Sequence, residues 1–220
     1  MRVLIIGHTG GIGAALFAAL RLAGHDVIGL SRSTDGMDLR KPDSIDAAFS
    51  NISGLFDVVV IATGQLHGAG APPEKSLKTL TARAMADQFA VNTIGPAMIL
   101  RQLHRILPKD RPSKVAVLTA RVGSIGDNQM GGWYSYRAAK AATNQVVHTA
   151  AIELARSHKQ SCLIAYHPGT VATAFTSDYQ GSHRTVPADD AVQNLLKLVG
   201  TLGPQNTGQF YDWTGSVVPW

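Results

Sequence analysis

The chain is short of cysteine, of aromatic residues and of charge. It has one cysteine in 220 residues, so no intrachain disulfide can form. Cys162 lies in the apolar run Cys162-Leu163-Ile164-Ala165, the setting of a buried and inert thiol, and nothing calls for an oxidising compartment. Charged residues make up 16% against 45% hydrophobic, a balance that excludes a disordered chain. No apolar run is long enough to span a bilayer. The opening Met1-Arg2-Val3-Leu4-Ile5-Ile6-Gly7 is too short for a signal-peptide core and gives way at once to glycines and a histidine. No membrane is expected as a partner, and the cytoplasm is the expected location. The net charge is +5, yet lysine and arginine are scattered, with no basic run and no aromatic interleaving. Nucleic acid is therefore not an expected partner, and a mildly basic surface favours a phosphorylated ligand. Repeats, linkers and low-complexity tracts are missing too, so residues 1–220 read as a single domain.

What the sequence does have is alternation. Apolar runs at Val3–Ile6, Val27–Leu30, Val58–Ala62, Val115–Thr119 and Leu163–His167 take turns with helical patterns. The helical stretches cover Ile12–Leu22, Asp43–Phe49, Thr81–Leu107 as two helices, Tyr134–Ser157 and Ala188–Val199. Such alternation predicts a doubly wound parallel sheet of Rossmann type with helices on both faces. Gln209–Tyr211 reads as an edge strand. Met37-Asp38-Leu39 also reads as a strand, although no crossover helix fits between it and the strand before it, so the sheet is expected to be irregular there.

The first strand runs into Gly7-His8-Thr9-Gly10-Gly11-Ile12-Gly13 and then a helix. Glycines let backbone turn tightly and approach a pyrophosphate, while a helix N-terminus offers free N–H groups to phosphate oxygens. After the second strand stands Leu30-Ser31-Arg32-Ser33, where enzymes that use NAD usually place a carboxylate for the ribose. A guanidinium flanked by hydroxyls suits a 2′-phosphate instead, which predicts NADP in preference to NAD. Further along, Tyr136-Arg137-Ala138-Ala139-Lys140 puts a phenol and an ammonium on one helical face. A free phenol titrates near ~10, and a fixed cation beside it is expected to lower that value toward neutrality.

The spacing of Gly7, Gly11 and Gly13, together with Tyr136 and Lys140, resembles the short-chain dehydrogenase/reductase family. The stretches from Ala120 to Ile125 and from Gly131 to Arg137 are most similar to a branch holding C-signal-factor-like and carbonyl-reductase-like proteins. The resemblance covers about residues 3–173. It implies that Gly7, Thr9, Gly11, Ile12 and Gly13 bind the pyrophosphate and that Asp38 and Leu39 lie at the adenine. It places Ala62 and Gly64 beside the cofactor, although Ile61-Ala62-Thr63-Gly64 has lost both asparagines of the family's Asn-Asn-Ala-Gly. Pro168, Gly169, Val171 and Thr173 are implied as the loop that receives the nicotinamide carboxamide.

The resemblance further implies Tyr136 as acid or base, Lys140 as its partner, and Asn92 as a helix-bending residue that holds a water linked to Lys140. The family's Ser-Ser pair is absent, with Thr119-Ala120 standing in its place. Ser124 is expected to supply the missing hydroxyl, and Thr119 is the other candidate. A lid near 174–187 is expected over a small carbonyl or alcohol substrate. The family habit of pairing long helices implies a homodimer or homotetramer. The expected activity is hydride transfer between NADP(H) and a carbonyl or alcohol carbon. The competing reading is a dinucleotide-binding signalling or regulatory protein with vestigial chemistry.

Overall fold

The run Arg2-Val3-Leu4-Ile5-Ile6 has no polar face, and strand β1 (Arg2–Ile6) accordingly lies inside the sheet. In the computed structural model, which describes residues 1–179 and 185–220, it pairs in parallel with β2 (Asp26–Leu30) on one side and β3 (Val58–Ile61) on the other. Strands β4 (Ser113–Leu118), β5 (Ser161–His167) and β6 (Phe210–Asp212) continue in parallel, giving the order β2-β1-β3-β4-β5-β6. The order reverses between β1 and β3, which is where doubly wound sheets bind their ligands, beyond the carboxyl ends of the strands.

Between strands the chain forms α1 (Gly11–Leu22), a single turn α2 (Arg32–Asp35), α3 (Pro42–Ser50) and α4 (Ala82–Phe89). A π-helical turn over Ala90–Ile94 leads into α5 (Gly95–Leu100), followed by α6 (Leu103–Ile106), α7 (Tyr134–Ser157) and α8 (Ala188–Thr201). Alternation along each strand splits the core in two. Leu4, Ile6, Val59, Ile61, Val115, Val117, Leu163 and Ala165 face a layer built from α3, α5, α6 and α7. Val3, Ile5, Val58, Val60, Ala116, Leu118, Ile164 and Tyr166 face α1 and α8. The fold is the doubly wound parallel sheet that the pattern predicts.

One expectation needs correction. Residues 37–39 are not a strand. The turn of α2, capped by the Ser31 hydroxyl accepting from Thr34 N–H, occupies the residues a crossover would need. Met37 and Leu39 then plug into the core at 2% and 9% exposure, so their apolarity reflects burial and not pairing. The stretch from Thr81 to Leu107 holds two helical pieces as expected, divided at Arg101–Gln102, and the first runs through the π turn, a feature that recurs at functional sites.

Leu39 reaches α5 at Gly95, where a Cβ would stand 2.6 Å from the leucine Cβ. Gly95→Ala should therefore overpack this contact and lower stability by ~1–3 kcal/mol. A urea midpoint equal to wild type at unchanged slope would show that Leu39 moves aside freely.

Candidate active site

The glycine loop is fixed by backbone meeting backbone. Gly7 has a φ of +88°, and a Cβ on it would lie 2.8 Å from the Ala62 carbonyl oxygen. A Cβ on Gly13 would lie 2.2 Å from the Gly7 oxygen, and one on Gly11 would lie 2.4 Å from the Thr173 methyl. Any larger residue would push β1, β3 and the 168–173 loop apart. No side chain caps the N-terminus of α1 and no acidic residue sits in its first turn, so its N–H groups face the loop free for an anion. Arg32 starts α2 exposed, and Ser33 Oγ donates to Thr9 Oγ1 (3.2 Å), tying this turn to the glycine loop. Asp38 is half-buried and its carboxylate accepts from the Arg40 N–H (3.0 Å). Gly169, with φ +80°, rests against the Trp213 ring, and Val171 is buried through a parallel bridge to Val186.

Four buried polar atoms without a partner mark the same edge. His8 Nδ1 follows β1, Thr63 Oγ1 follows β3, Thr119 Oγ1 follows β4, and His167 Nδ1 ends β5. Buried polar groups are normally satisfied, so a row of unpaired ones along the carboxyl ends of parallel strands fits a polar ligand lying there. An extended anionic ligand suits the loop, the free helix end and Arg32 together.

Tyr136 and Lys140 lie one turn apart on α7, at 5% and 3% exposure, against the end of β4. Lys140 Nζ stands 5.8 Å from the Tyr136 ring centroid and donates to the Leu118 carbonyl (3.4 Å). Burial pushes the Tyr136 hydroxyl well above its usual range and brings Lys140 down to about 8. The expected lowering of the phenol is therefore not found: burial shifts both groups toward their neutral forms, and the phenol moves up.

Asn92 sits in the π turn, fully buried. Its side chain accepts from Gln65 N–H (3.1 Å) and donates to Gln65 C=O (2.8 Å), while its own carbonyl accepts from the Thr143 hydroxyl. Gly64 is wedged beside it: a Cβ there would lie 3.0 Å from Asn92 Oδ1 and 3.4 Å from Lys140 Nζ. The helix distortion expected at Asn92 is present, and it brings Gly64, Asn92 and Lys140 together.

Ser124 is a correction. Its hydroxyl donates to the Pro219 carbonyl (2.5 Å) in the tail and accepts from Asp127 N–H (3.0 Å) in its own loop, so it is engaged away from Tyr136. Thr119 extends the row Val115, Val117 toward the α7 layer. Its neighbour Leu118 meets Lys140 and its neighbour Ala120 packs with Tyr136. Tyr211 accepts from Asn206, Trp213 covers Gly169, and Trp220 stacks on Phe210. Residues 174–179 form a 3₁₀ turn, and 180–184 of the expected lid lie outside the described residues.

A family described as Enoyl-(Acyl carrier protein) reductase matches residues 32–204, well over half the chain. The 1-hydroxy-2-glutathionyl-2-methyl-3-butene dehydrogenase of Rhodococcus sp. strain AD45 is 30% identical over 99% of both chains. The chain belongs to the short-chain dehydrogenase/reductase family. It is an oxidoreductase of that class. The C-signal protein of Myxococcus xanthus is 35% identical over 62% of this chain and 78% of its own. The fold matches an NADPH-bound carbonyl reductase from chicken fatty liver at TM-score 0.82 and 19% identity, covering 100% and 98% of the two chains. Among the described residues no helix is long and apolar enough to cross a membrane.

Several residues that build the site of this short-chain dehydrogenase/reductase escape sequence reasoning. Gln88 Oε1 receives the other hydrogen of Asn92 Nδ2, and Asp87 accepts from Arg40 (2.7 Å), Gln65 (2.7 Å) and Ala69 N–H (2.6 Å), which holds its carboxyl down at about 2. Glu74 is buried and accepts from Ser135 at the start of α7. The spacing of Gln88 and Asn92 on one helical face is the one local signal; the rest comes from residues distant in sequence.

With one hydrogen bond to the tail and one within its own loop to lose, Ser124→Ala should cost about 1–3 kcal/mol of stability. A urea midpoint within error of wild type would show that Pro219 and Asp127 do not depend on this hydroxyl.

Proposed function

We propose that the protein is an NADP(H)-dependent reductase or dehydrogenase acting on a small carbonyl or alcohol compound, with Tyr136 as proton donor or acceptor. The observation that carries this reading is the burial of Tyr136 and Lys140 one turn apart on α7, with Lys140 donating to the Leu118 carbonyl at the end of β4 and the Thr119 hydroxyl left unpartnered one residue further on. The dinucleotide, when bound, supplies or takes up the hydride at the substrate carbon. In the reducing direction Tyr136, kept protonated by burial, gives its proton to the carbonyl oxygen. Thr119 donates a hydrogen bond to the same oxygen in place of the serine the sequence pointed to. Lys140, at about 8, is charged at neutral pH and stabilises the phenolate left behind. Asn92 is a positioning residue that holds the Gln65 backbone, and with it Gly64, against Lys140.

Gly7, Thr9, Gly11, Ile12 and Gly13 hold the pyrophosphate in this reading, and Arg32 with Ser33 takes the 2′-phosphate. Asp38 and Leu39 border the adenine, Ala62 and Gly64 the ribose side, and Pro168, Gly169, Val171 and Thr173 the carboxamide. The chicken enzyme, described as NADPH-bound, supports the choice of cofactor, and the Rhodococcus relative, described as a dehydrogenase, supports the reaction class. We further propose a homodimer or homotetramer formed through the π turn with α5 and through α7, where Ile94 on the turn and Ile152 on α7 stand exposed.

Tyr136→Phe should abolish turnover while NADPH affinity stays within about twofold, and Thr119→Val should cost about 10²–10³ in rate. NADPH binding without turnover on any of a panel of aldehydes, ketones and quinones would overturn the catalytic reading and favour a dinucleotide-binding regulatory protein. Arg32→Asp should weaken NADPH at least about tenfold and leave NADH nearly unchanged. Equal loss of both would remove Arg32 from cofactor choice.

A further inference from the structure

Three residues in succession before α7 take left-handed backbone: Gly131 (φ +63°), Gly132 (φ +66°) and Trp133 (φ 53°, ψ 40°). Glycine adopts this region freely, whereas a bulky side chain does so only when its surroundings enforce it. The enforcement is visible. The Glu74 carbonyl accepts from Trp133 N–H (2.5 Å), and the Glu74 carboxylate accepts from Ser135 N–H (3.2 Å) and from the Ser135 hydroxyl. Glu74 and Ser135 are 6% and 1% exposed, so this clamp is shielded from water. From the other side Arg137 donates to the carbonyls of Gly131 (3.2 Å), Gly132 (3.0 Å) and Val122 (3.2 Å).

The clamp delivers an indole to the reacting phenol. The Trp133 and Tyr136 rings meet edge to face, with centroids 6.0 Å apart at 68°. Leu66, Ala120 and Val122 complete the apolar cluster on the Trp133 side of Tyr136, while Lys140 Nζ stands 5.8 Å from its ring centroid. A polar substrate would gain little beside such walls, whereas an apolar substituent would be desolvated against them.

We propose that Trp133, held by Glu74, is the specificity-determining wall of the substrate pocket and selects carbonyl compounds bearing a bulky apolar substituent, an aryl group foremost. The carbonyl as reacting group rests on the proposed function; the selection for an apolar substituent rests on the clamp and the walls.

Calorimetric titration of acetophenone and of acetone into the protein saturated with NADP⁺ reads the wall without turnover. Wild type should bind acetophenone the more tightly. Trp133→Gly should weaken acetophenone at least tenfold and leave acetone unchanged, with no loss of thermal stability because glycine suits this backbone. Trp133→Phe should keep acetophenone within about threefold of wild type, since a ring remains to fill the wall. Glu74→Ala should shift the same ratio as Trp133→Gly, and Glu74→Gln should restore it, because an amide oxygen still accepts from Ser135. Equal affinity of wild type for the two ketones, binding of neither, or a Trp133→Gly protein with unchanged selectivity would each overturn the proposal. If the selectivity holds while neither ketone is reduced with NADPH, the reductase reading fails and the wall stands. If both ketones are reduced while Trp133→Gly binds them as wild type does, the wall fails and the reductase reading stands.

Discussion

The seating of α7 on the sheet is the constraint from which the site follows. Its first turns lie so close to the 3₁₀ turn Arg121–Gly123 that follows β4 that a Cβ on Gly123 would stand 2.8 Å from the Lys140 carbonyl carbon. Thr93 donates to the Ala139 carbonyl (2.8 Å) and Thr143 on α7 donates to the Asn92 carbonyl, fastening the helix to the π turn on both sides of Lys140. Water is excluded from this contact, and its exclusion sets the protonation states: the phenol stays neutral and the ammonium is held less tightly than in solvent. The fold thus sets a dry phenol and a dry ammonium together at the end of a parallel strand.

The opposite wall is made of backbone. Where Gly7, Gly13 and Ala62 touch, side chains are excluded by geometry, and the loop presents N–H groups in their stead. The row of unpartnered polar atoms from His8 to His167 has the same origin. Parallel strands end together, so whatever polar groups terminate them share one edge. Thr119 belongs to this row and Ser124 does not, because one more turn of chain turns the serine toward the C-terminal tail.

Around these two walls runs a web of polar contacts, exposed at Arg40 and buried at Asn92, that joins distant segments. Arg40 reaches Asp87 and Gln65, Gln65 is gripped by Asn92, and Asn92 stands beside Gly64 and Lys140. On the other flank Glu74 fixes the start of α7 and therefore the direction in which Tyr136 leaves the helix. Each link is modest, but in a shielded setting an unmade bond is costly, so the web resists the loss of any member.

The sequence by itself determined the parallel sheet, its main helices, the glycine loop and the pairing of Tyr136 with Lys140. These depend on periodicity and on residues within one or two turns of each other, which spacing records directly. Only the tertiary structure decided that Met37 and Leu39 fill the core instead of pairing, that Ser124 serves the tail while Thr119 remains unpartnered, and that Glu74 clamps Trp133. Each of those outcomes turns on contacts between segments far apart in the chain. Burial then reversed the shift expected for the phenol, because the dielectric around a side chain is a property of the packed fold and not of its neighbours in sequence.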